Sequence, residues 1–335
     1  MMELTRTNDP VLLSWLMVQL EAEGIGAVVF DAHTSIMEGS IGAIPRRVMV
    51  VEEGLERARI ILAEAGNSGA GVEPGLSPAL SPGLSPGLSN DALLDGRVKL
   101  LQPAKGYRAA IDPVLLAAAV DAKETDMVLD AGAGAGAAAL CLAARVCGVR
   151  VRGVEIDGFL AGLAMRNAEA NGRAGHVDVI QGDILDSPGL DAFGLDMPGG
   201  FDHVMANPPY YKAGSGNVSP DPAKAAATFE GAAALGDWID FCVKMVRPKG
   251  AVTLIHHAER LDELLSHMQR RLGEIVVFPL WPGRAGRPSK RVIVRGLKGA
   301  AAPMRMAKGL TLHDDGGAFT PEAQAVLRDA QALIL

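Results

Sequence analysis

"DMVLDAGAGAGAAALCLAARV", residues 126–146, decides how the larger part of this chain is read. An apolar run reaches Asp130, three glycines (Gly132, Gly134, Gly136) then alternate with alanine, and an Ala/Leu-rich stretch follows. The apolar run closed by glycines predicts a strand and tight turn, and the stretch after it predicts a helix. Glycine at alternate positions lets the backbone approach a ligand closely.

The alternation continues outward from this stretch. "VRVRGVEID" (149–157), "HVDVIQGD" (176–183), "FDHVMANPPY" (201–210), "GAVTLIHH" (250–257), "EIVVFPLW" (274–281) and "KRVIVRGL" (290–297) read as strands. "FLAGLAMRNAEANG" (159–172), stopped by Asn171-Gly172, and "ERLDELLSHMQRRLG" (259–273) read as helices. Strands alternating with helices predict an α/β fold with a doubly wound, mostly parallel sheet, whose ligands sit at the carboxyl ends of the strands.

The chain has 335 residues, 49% of them hydrophobic, with a mean hydropathy of +0.19, which is enough for real cores. "PGLSPALSPGLSPGLS", Pro74 to Ser89, repeats a tetrapeptide four times. Proline at every fourth position blocks both helix and sheet, so residues 66–90 are expected to form an extended linker. It separates residues 1–65 from a domain spanning 91–335. The N-terminal stretch reads as a small α+β (βαββα) sandwich: strands at Met2 to Arg6, "IGAVVFDA" and "RRVMVVEE", a helix after Asn8 or Asp9, and a helix in "EGLERARIILAEAG". His33, Arg46 and Arg47 are its polar residues of note, read as solvated. This segment resembles small prokaryotic signal-transducing domains.

No apolar run reaches the roughly 18 residues of a membrane span, and "MMELTRTNDP" lacks a signal-peptide layout, so a cytoplasmic protein is expected. Cys141, Cys147 and Cys242 form no CxxC pair and have no histidine at ligand spacing, which predicts reduced thiols and no metal. The net charge of −7 hides an asymmetry: residues 241–311 hold 14 Lys+Arg against 4 Asp+Glu. A basic sector of that kind suits a nucleic-acid partner.

Four motifs close successive strands. Gly132, Gly134 and Ala137 fit the relaxed dinucleotide pattern, whereas Asp130 followed by G-x-G-x-G suits S-adenosylmethionine, and glycines that merely turn the chain are a third reading. Glu155 ends the second strand, where a carboxylate can accept both hydroxyls of a ribose. Asp183 ends the third and is placed for an adenine amino group, with Ile184 against the ring. Asn207-Pro208-Pro209-Tyr210 ends the fourth. An exocyclic amine is a poor nucleophile because its lone pair is delocalised into the ring. If the Asn207 side-chain oxygen and the Pro208 carbonyl both accept from that NH2, they orient it and raise electron density on nitrogen. Tyr210 offers a ring for stacking on a planar base.

With these motifs, the chain resembles the seven-stranded, Rossmann-like S-adenosylmethionine-dependent methyltransferases of N-P-P-Y type. It is most similar to the bacterial tRNA1(Val) adenine-37 N6-methyltransferases. "RVKLLQPAKGYRAAIDPVLLAAAV" (97–120), "NPPYY" and "SKRVIVRG" carry the likeness over about 240 residues. The resemblance implies S-adenosylmethionine as cofactor and S-adenosylhomocysteine as product. It implies methylation of the adenine beside the tRNA(Val) anticodon, with Tyr107, Arg108 and Ile156 near the cofactor and Asp112-Pro113 opening a helix. Residues 91–335 are thus expected to bind the cofactor through Asp130, Gly132, Gly134, Gly136, Glu155, Ile156, Asp183, Ile184, Tyr107 and Asn207, and to act through Asn207, Pro208 and Tyr210.

"WPGRAGRPSKRVIVRG" (281–296) offers Arg284, Arg287, Lys290, Arg291 and Arg295 to RNA phosphates without an acid among them. Tyr211 to Gly231, rich in Gly, Ser and Pro, is expected to act as a lid. His256, His257 and Trp281 are read as packed residues. Three other readings stand beside this one: a methyltransferase of another planar amine (an rRNA or DNA base, or a protein glutamine), a cofactor-free RNA-binding scaffold, and a dehydrogenase that binds NAD.

Overall fold

The computed structural model describes residues 2–7, 20, 25, 27–30, 46–51, 54, 55, 57, 58, 88–104, 108–186, 200–211, 230–283 and 286–335. The chain divides into two compact units, Met1–Gly83 and Leu84–Leu335. In the first, β1 (Met2–Thr7), β2 (Ala27–Phe30) and β3 (Arg46–Val50) form an antiparallel sheet in the order β1-β3-β2. Leu20, Ile25, Val48, Val50 and Ala58 make its small core. The three strands match the sequence reading. His33, the side chains of Arg46 and Arg47, and most of both helical segments lie outside the described residues.

The second unit opens with a hairpin that the sequence reading missed, β4 (Leu88–Leu93) against β5 (Val98–Pro103). Leu88, Ser89 and Asn90, assigned to the linker, are therefore strand residues paired with Pro103, Gln102 and Leu101. The physical reason lies in the last repeat. Pro86 is its final proline, so every residue after it keeps the N–H that a ladder needs. The rest of the linker lies outside the described residues.

The main sheet runs β8-β7-β6-β9-β10-β12-β11 across its body. The strands are β6 (Met127–Ala131), β7 (Arg150–Glu155), β8 (Val177–Gln181), β9 (Phe201–Ala206), β10 (Val246–His257), β11 (Leu272–Trp281) and β12 (Arg291–Lys298). The first five are mutually parallel, and β12 is antiparallel to both β10 and β11. Two short strands, β13 (Arg305–Met306) and β14 (Leu310–Thr311), add to β11. A dinucleotide fold runs its strands 3-2-1-4-5-6. Here an antiparallel strand sits between the fifth and the last, which departs from that order and disfavours the NAD reading.

Helices cover both faces, which is why the central strands read as nearly unbroken apolar runs. Val128, Met205 and Ile293 face a layer built by α1 (Ile111–Ala119), α2 (Ala137–Arg145), α3 (Gly158–Ala170) and α6 (Pro321–Leu327). Leu129, Val204 and Val294 face α4 (Leu235–Met245) and α5 (Leu261–Met268). Alternate residues of one strand thus feed opposite cores. The reading from sequence named neither α4 nor α6.

Asn167 of α3 and Asn171, which caps the end of that helix, fasten the hairpin to it. Asn167 accepts from the Leu101 N–H at 2.8 Å and donates to the carbonyls of Leu101 (2.8 Å) and Ala135 (2.9 Å). One turn on, Asn171 accepts from the Lys99 N–H and donates to the Lys99 carbonyl. Asn167 is almost fully buried, so Asn167→Ala leaves the Leu101 N–H and two carbonyls without their partner. The expected loss is about 2–4 kcal/mol in urea unfolding, several times that of a surface substitution. A loss below about 0.5 kcal/mol would show that solvent replaces these bonds.

Candidate active site

The order of strands reverses at β6, whose neighbours are β7 on one side and β9 on the other. That switch point is where a crevice opens at the carboxyl edge of a doubly wound sheet. Ala131 stands level with Val154 on β7 and with Ala206 on β9. Gly132, Glu155 and Asn207 therefore leave three adjacent strands side by side, with backbones about 5 Å apart.

Gly132, Gly134 and Gly136 all have positive φ (+72°, +55° and +85°), which only glycine adopts without strain. The Gly132 and Ala133 N–H groups donate to the Val154 carbonyl, folding the loop over the end of β7. A side chain at Gly132 would meet the Trp238 ring at 2.6 Å, whereas one at Gly134 would meet nothing within 4 Å. The loop is thus tight at its first glycine and open at its second.

Glu155 holds the loop from β7. Its carboxylate accepts from the Gly134 N–H at 2.8 Å and from the Asp157 N–H at 3.0 Å, while Asp157 caps α3 by accepting from Phe159 and Leu160. Burial raises the pKa of Glu155 despite these bonds. Asp130 is 2% exposed, and burial pushes its carboxyl up to about 7. Its Oδ2 atom is buried and has no hydrogen-bond partner among the described residues. Ile156 is 64% exposed beside the crevice, an open apolar surface next to buried acids. Asp183 accepts from the Leu185 N–H at 2.9 Å, and Ile184 is half-buried against the α4 side of the sheet.

Beyond β9, the Tyr210 hydroxyl reaches Asp112 Oδ2 and Asn207 Oδ1, each at 2.8 Å. The Tyr210 ring stacks on His257 at 4.3 Å and meets His256 edge-on at 5.5 Å. His256 is fully buried, with Nε2 3.2 Å from the Pro209 carbonyl, and burial lowers its pKa. Burial, with the positive charge of Arg291 and the neighbouring His256 and Lys290, lowers His257 to about 4. Both imidazoles are therefore neutral near pH 7, packed residues as expected from sequence.

The basic residues separate into different surroundings. Arg287 and Lys290 are exposed in the loop before β12. Arg291 turns inward: its Nε donates to Asp112 Oδ2 at 2.7 Å, and its Cζ lies 5.9 Å from the Tyr210 ring centre. Arg295 sits within β12 opposite Thr253 and Val276, about 13 Å along the strand from Arg291, with its Nε buried. Arg108 pairs with Asp91 at 2.5 Å on the hairpin. Tyr107, Arg284 and most of the expected lid lie outside the described residues.

Sequence reasoning missed Trp238 and gave Asp112 no role beyond opening a helix. Asp112 carried a usable signal: an acid at the head of "PVLLAAAV" has to be buried with its helix, and a buried carboxylate requires a partner. Among the described residues, no helix is long and apolar enough to cross a membrane, and no cluster of His, Cys, Asp and Glu could hold a metal ion.

Comparison with known proteins matches residues 110–227 to the family "Methyltransferase small domain" and residues 1–66 to "Putative prokaryotic signal transducing protein". A tRNA1(Val) (adenine(37)-N6)-methyltransferase of Actinobacillus succinogenes is 30% identical over 226 residues, which is 66% of this chain and 89% of that protein. The protein of the same name from Aeromonas salmonicida is 29% identical over 218 residues, 64% of this chain and 85% of its own length. Among solved structures, a predicted O-methyltransferase, protein Atu636 of Agrobacterium tumefaciens, aligns with a TM-score of 0.55 at 26% identity. That alignment covers 67% of this chain and 98% of the other.

Proposed function

We propose that this chain, which belongs to the tRNA1(Val) (adenine(37)-N6)-methyltransferase family and is an S-adenosylmethionine-dependent methyltransferase, methylates N6 of the adenine beside the anticodon of a valine tRNA. The observation that carries the reading is the register of Ala131 with Ala206, which sets the glycine loop and Asn207 on adjacent strands at one edge.

The residues present fit the cofactor. Asp130 Oδ2 is a buried acceptor in need of a donor, the space beside Gly134 is open, and Ile156 offers an exposed apolar face. In this reading Gly132, Gly134 and Gly136 admit the cofactor to the backbone, Glu155 accepts from its ribose hydroxyls, Asp183 accepts from its adenine amino group, and Ile156 and Ile184 flank the base. When bound, the cofactor supplies an electrophilic methyl group on a sulfonium.

On the substrate side, Asn207 Oδ1 and the Pro208 carbonyl accept the two N–H bonds of the exocyclic amine. This grip gathers the lone pair on nitrogen and points it along one line. The nitrogen that gains a methyl group gives up one proton, which passes to water. His257 stacks on the Tyr210 ring and so orients it as one wall of the space that receives the base. In this reading Arg287 and Lys290, exposed in the loop before β12, meet the phosphates of a tRNA stem.

Nucleoside mass spectrometry tests the substrate. In tRNA(Val) from a strain lacking this gene, N6-methyladenosine on the 3′ side of the anticodon is expected to disappear and to return on complementation. An unchanged level rejects this substrate, and methylation appearing instead on a protein glutamine would move the activity to a different planar amine.

A further inference from the structure

One phenolic proton faces two acceptors at Tyr210. A tyrosine hydroxyl carries a single hydrogen, yet both Asp112 Oδ2 and Asn207 Oδ1 lie 2.8 Å from it. The two acceptors differ in strength. Asp112 is a carboxylate 5% exposed, and Arg291 donates to the same Oδ2 atom at 2.7 Å. Asp112 Oδ1 is buried and has no partner among the described residues, so the visible hold on this acid comes from Tyr210 and Arg291. A hydrogen bond to a carboxylate is roughly twice as strong as one to a neutral amide.

The geometry points to Asp112 and Arg291 as a positioning pair that sets the proton and ring plane of Tyr210 and, through Tyr210, the amide of Asn207. The Tyr210 O–H donates to Asp112, so an incoming amine does not compete with Tyr210 for the Asn207 oxygen. Arg291 holds the acid in place by donating to its Oδ2 atom. Its guanidinium beside the Tyr210 ring, with His257 stacked on the ring, leaves that ring little freedom to rotate. Arg291 reaches this position because β12 runs antiparallel to β10, which sets its first residue opposite His257. A residue that sequence alone assigns to RNA phosphates thus acts behind the amine site. The inference rests on the reading of Asn207 as the group that orients the amine.

Asp112→Asn keeps the shape of the side chain and removes its charge. In methyl transfer from labelled cofactor to total unmodified tRNA, kcat is expected to fall about 30-fold while KM for tRNA and cofactor affinity stay within about threefold. In the Tyr210→Phe background, which has no hydroxyl, the same substitution is expected to cost less than about twofold. Equal losses in both backgrounds would overturn the inference, leaving a salt bridge that merely supports the fold. If Asp112→Asn does not fold, Arg291→Gln takes its place with the same expected coupling.

A second measurement needs no substrate. The chain contains three tyrosines, so fluorine NMR of protein labelled with 3-fluorotyrosine resolves few lines, and the line absent from Tyr210→Phe belongs to Tyr210. That line is expected to shift in Asp112→Asn and in Arg291→Gln; a line that stays in place in both overturns the pair's role. If the parent protein transfers no methyl group to tRNA, the RNA reading falls, while the fluorine line still decides this one.

Discussion

Asn207→Ala is expected to lower kcat for methyl transfer about a thousandfold while cofactor affinity by calorimetry changes less than about threefold. The asymmetry follows from the role proposed for the side chain. Removing an oriented acceptor leaves the amine able to enter but with its lone pair spread into the ring and its N–H bonds pointing in no fixed direction. The benefit of that acceptor appears only as charge develops on nitrogen, so the loss falls on kcat rather than on KM. In the proposed reading the cofactor is held mainly from the ends of β6, β7 and β8, so its binding should survive. A twofold loss of rate would mean that the Asn207 amide does not position the amine. A parallel collapse of cofactor affinity would mean that the residue shapes the crevice instead.

The second large effect is expected at Gly132. An alanine there would carry φ of +72° and place its methyl 2.6 Å from Cη2 and 2.9 Å from Cζ3 of Trp238. The left-handed backbone costs about 1–2 kcal/mol, and forcing an extra methyl into a packed contact costs about 1–3 kcal/mol more. Trp238 cannot easily yield, because it lies on α4 against the core that contains Leu129 and Val204. Gly132→Ala should therefore lower the melting temperature by roughly 5–15 °C and abolish measurable cofactor binding. Adding Trp238→Leu removes the clash but not the backbone strain, so it should restore part of the stability. No restoration at all would place the whole effect in the backbone conformation. A variant as stable as the parent would show that the loop slides to accept the methyl group.

Much of this molecule was legible in its sequence, for identifiable reasons. Segments such as Val204–Ala206 and Ile275–Leu280 announce themselves as strands because both faces of the sheet are buried there, so the apolar run is unbroken. The glycine turn was legible because positive φ at three alternate positions admits hardly any other residue. The hairpin at Leu88–Pro103 was hidden, since its first strand shares the Gly, Leu and Ser of the repeat before it. What makes it a strand is its pairing with β5 and the grip of Asn167 and Asn171 on that partner. Helix α4 went unnamed, although its Trp238 closes the space over Gly132.

The sequence alone thus determined the chemistry available at each strand end: the acids Asp130, Glu155 and Asp183, the flexible glycines and the amide of Asn207. These are local properties, fixed by residue type and by the periodicity of the few neighbours around each one. Tertiary structure alone decided which of those ends meet. Asp112 and Arg291 are 179 residues apart and touch only because an antiparallel strand closes the sheet and brings its first residue to the working edge. Periodicity reports whether a side chain is buried, but not which distant partner receives it; that choice belongs to strand order and register.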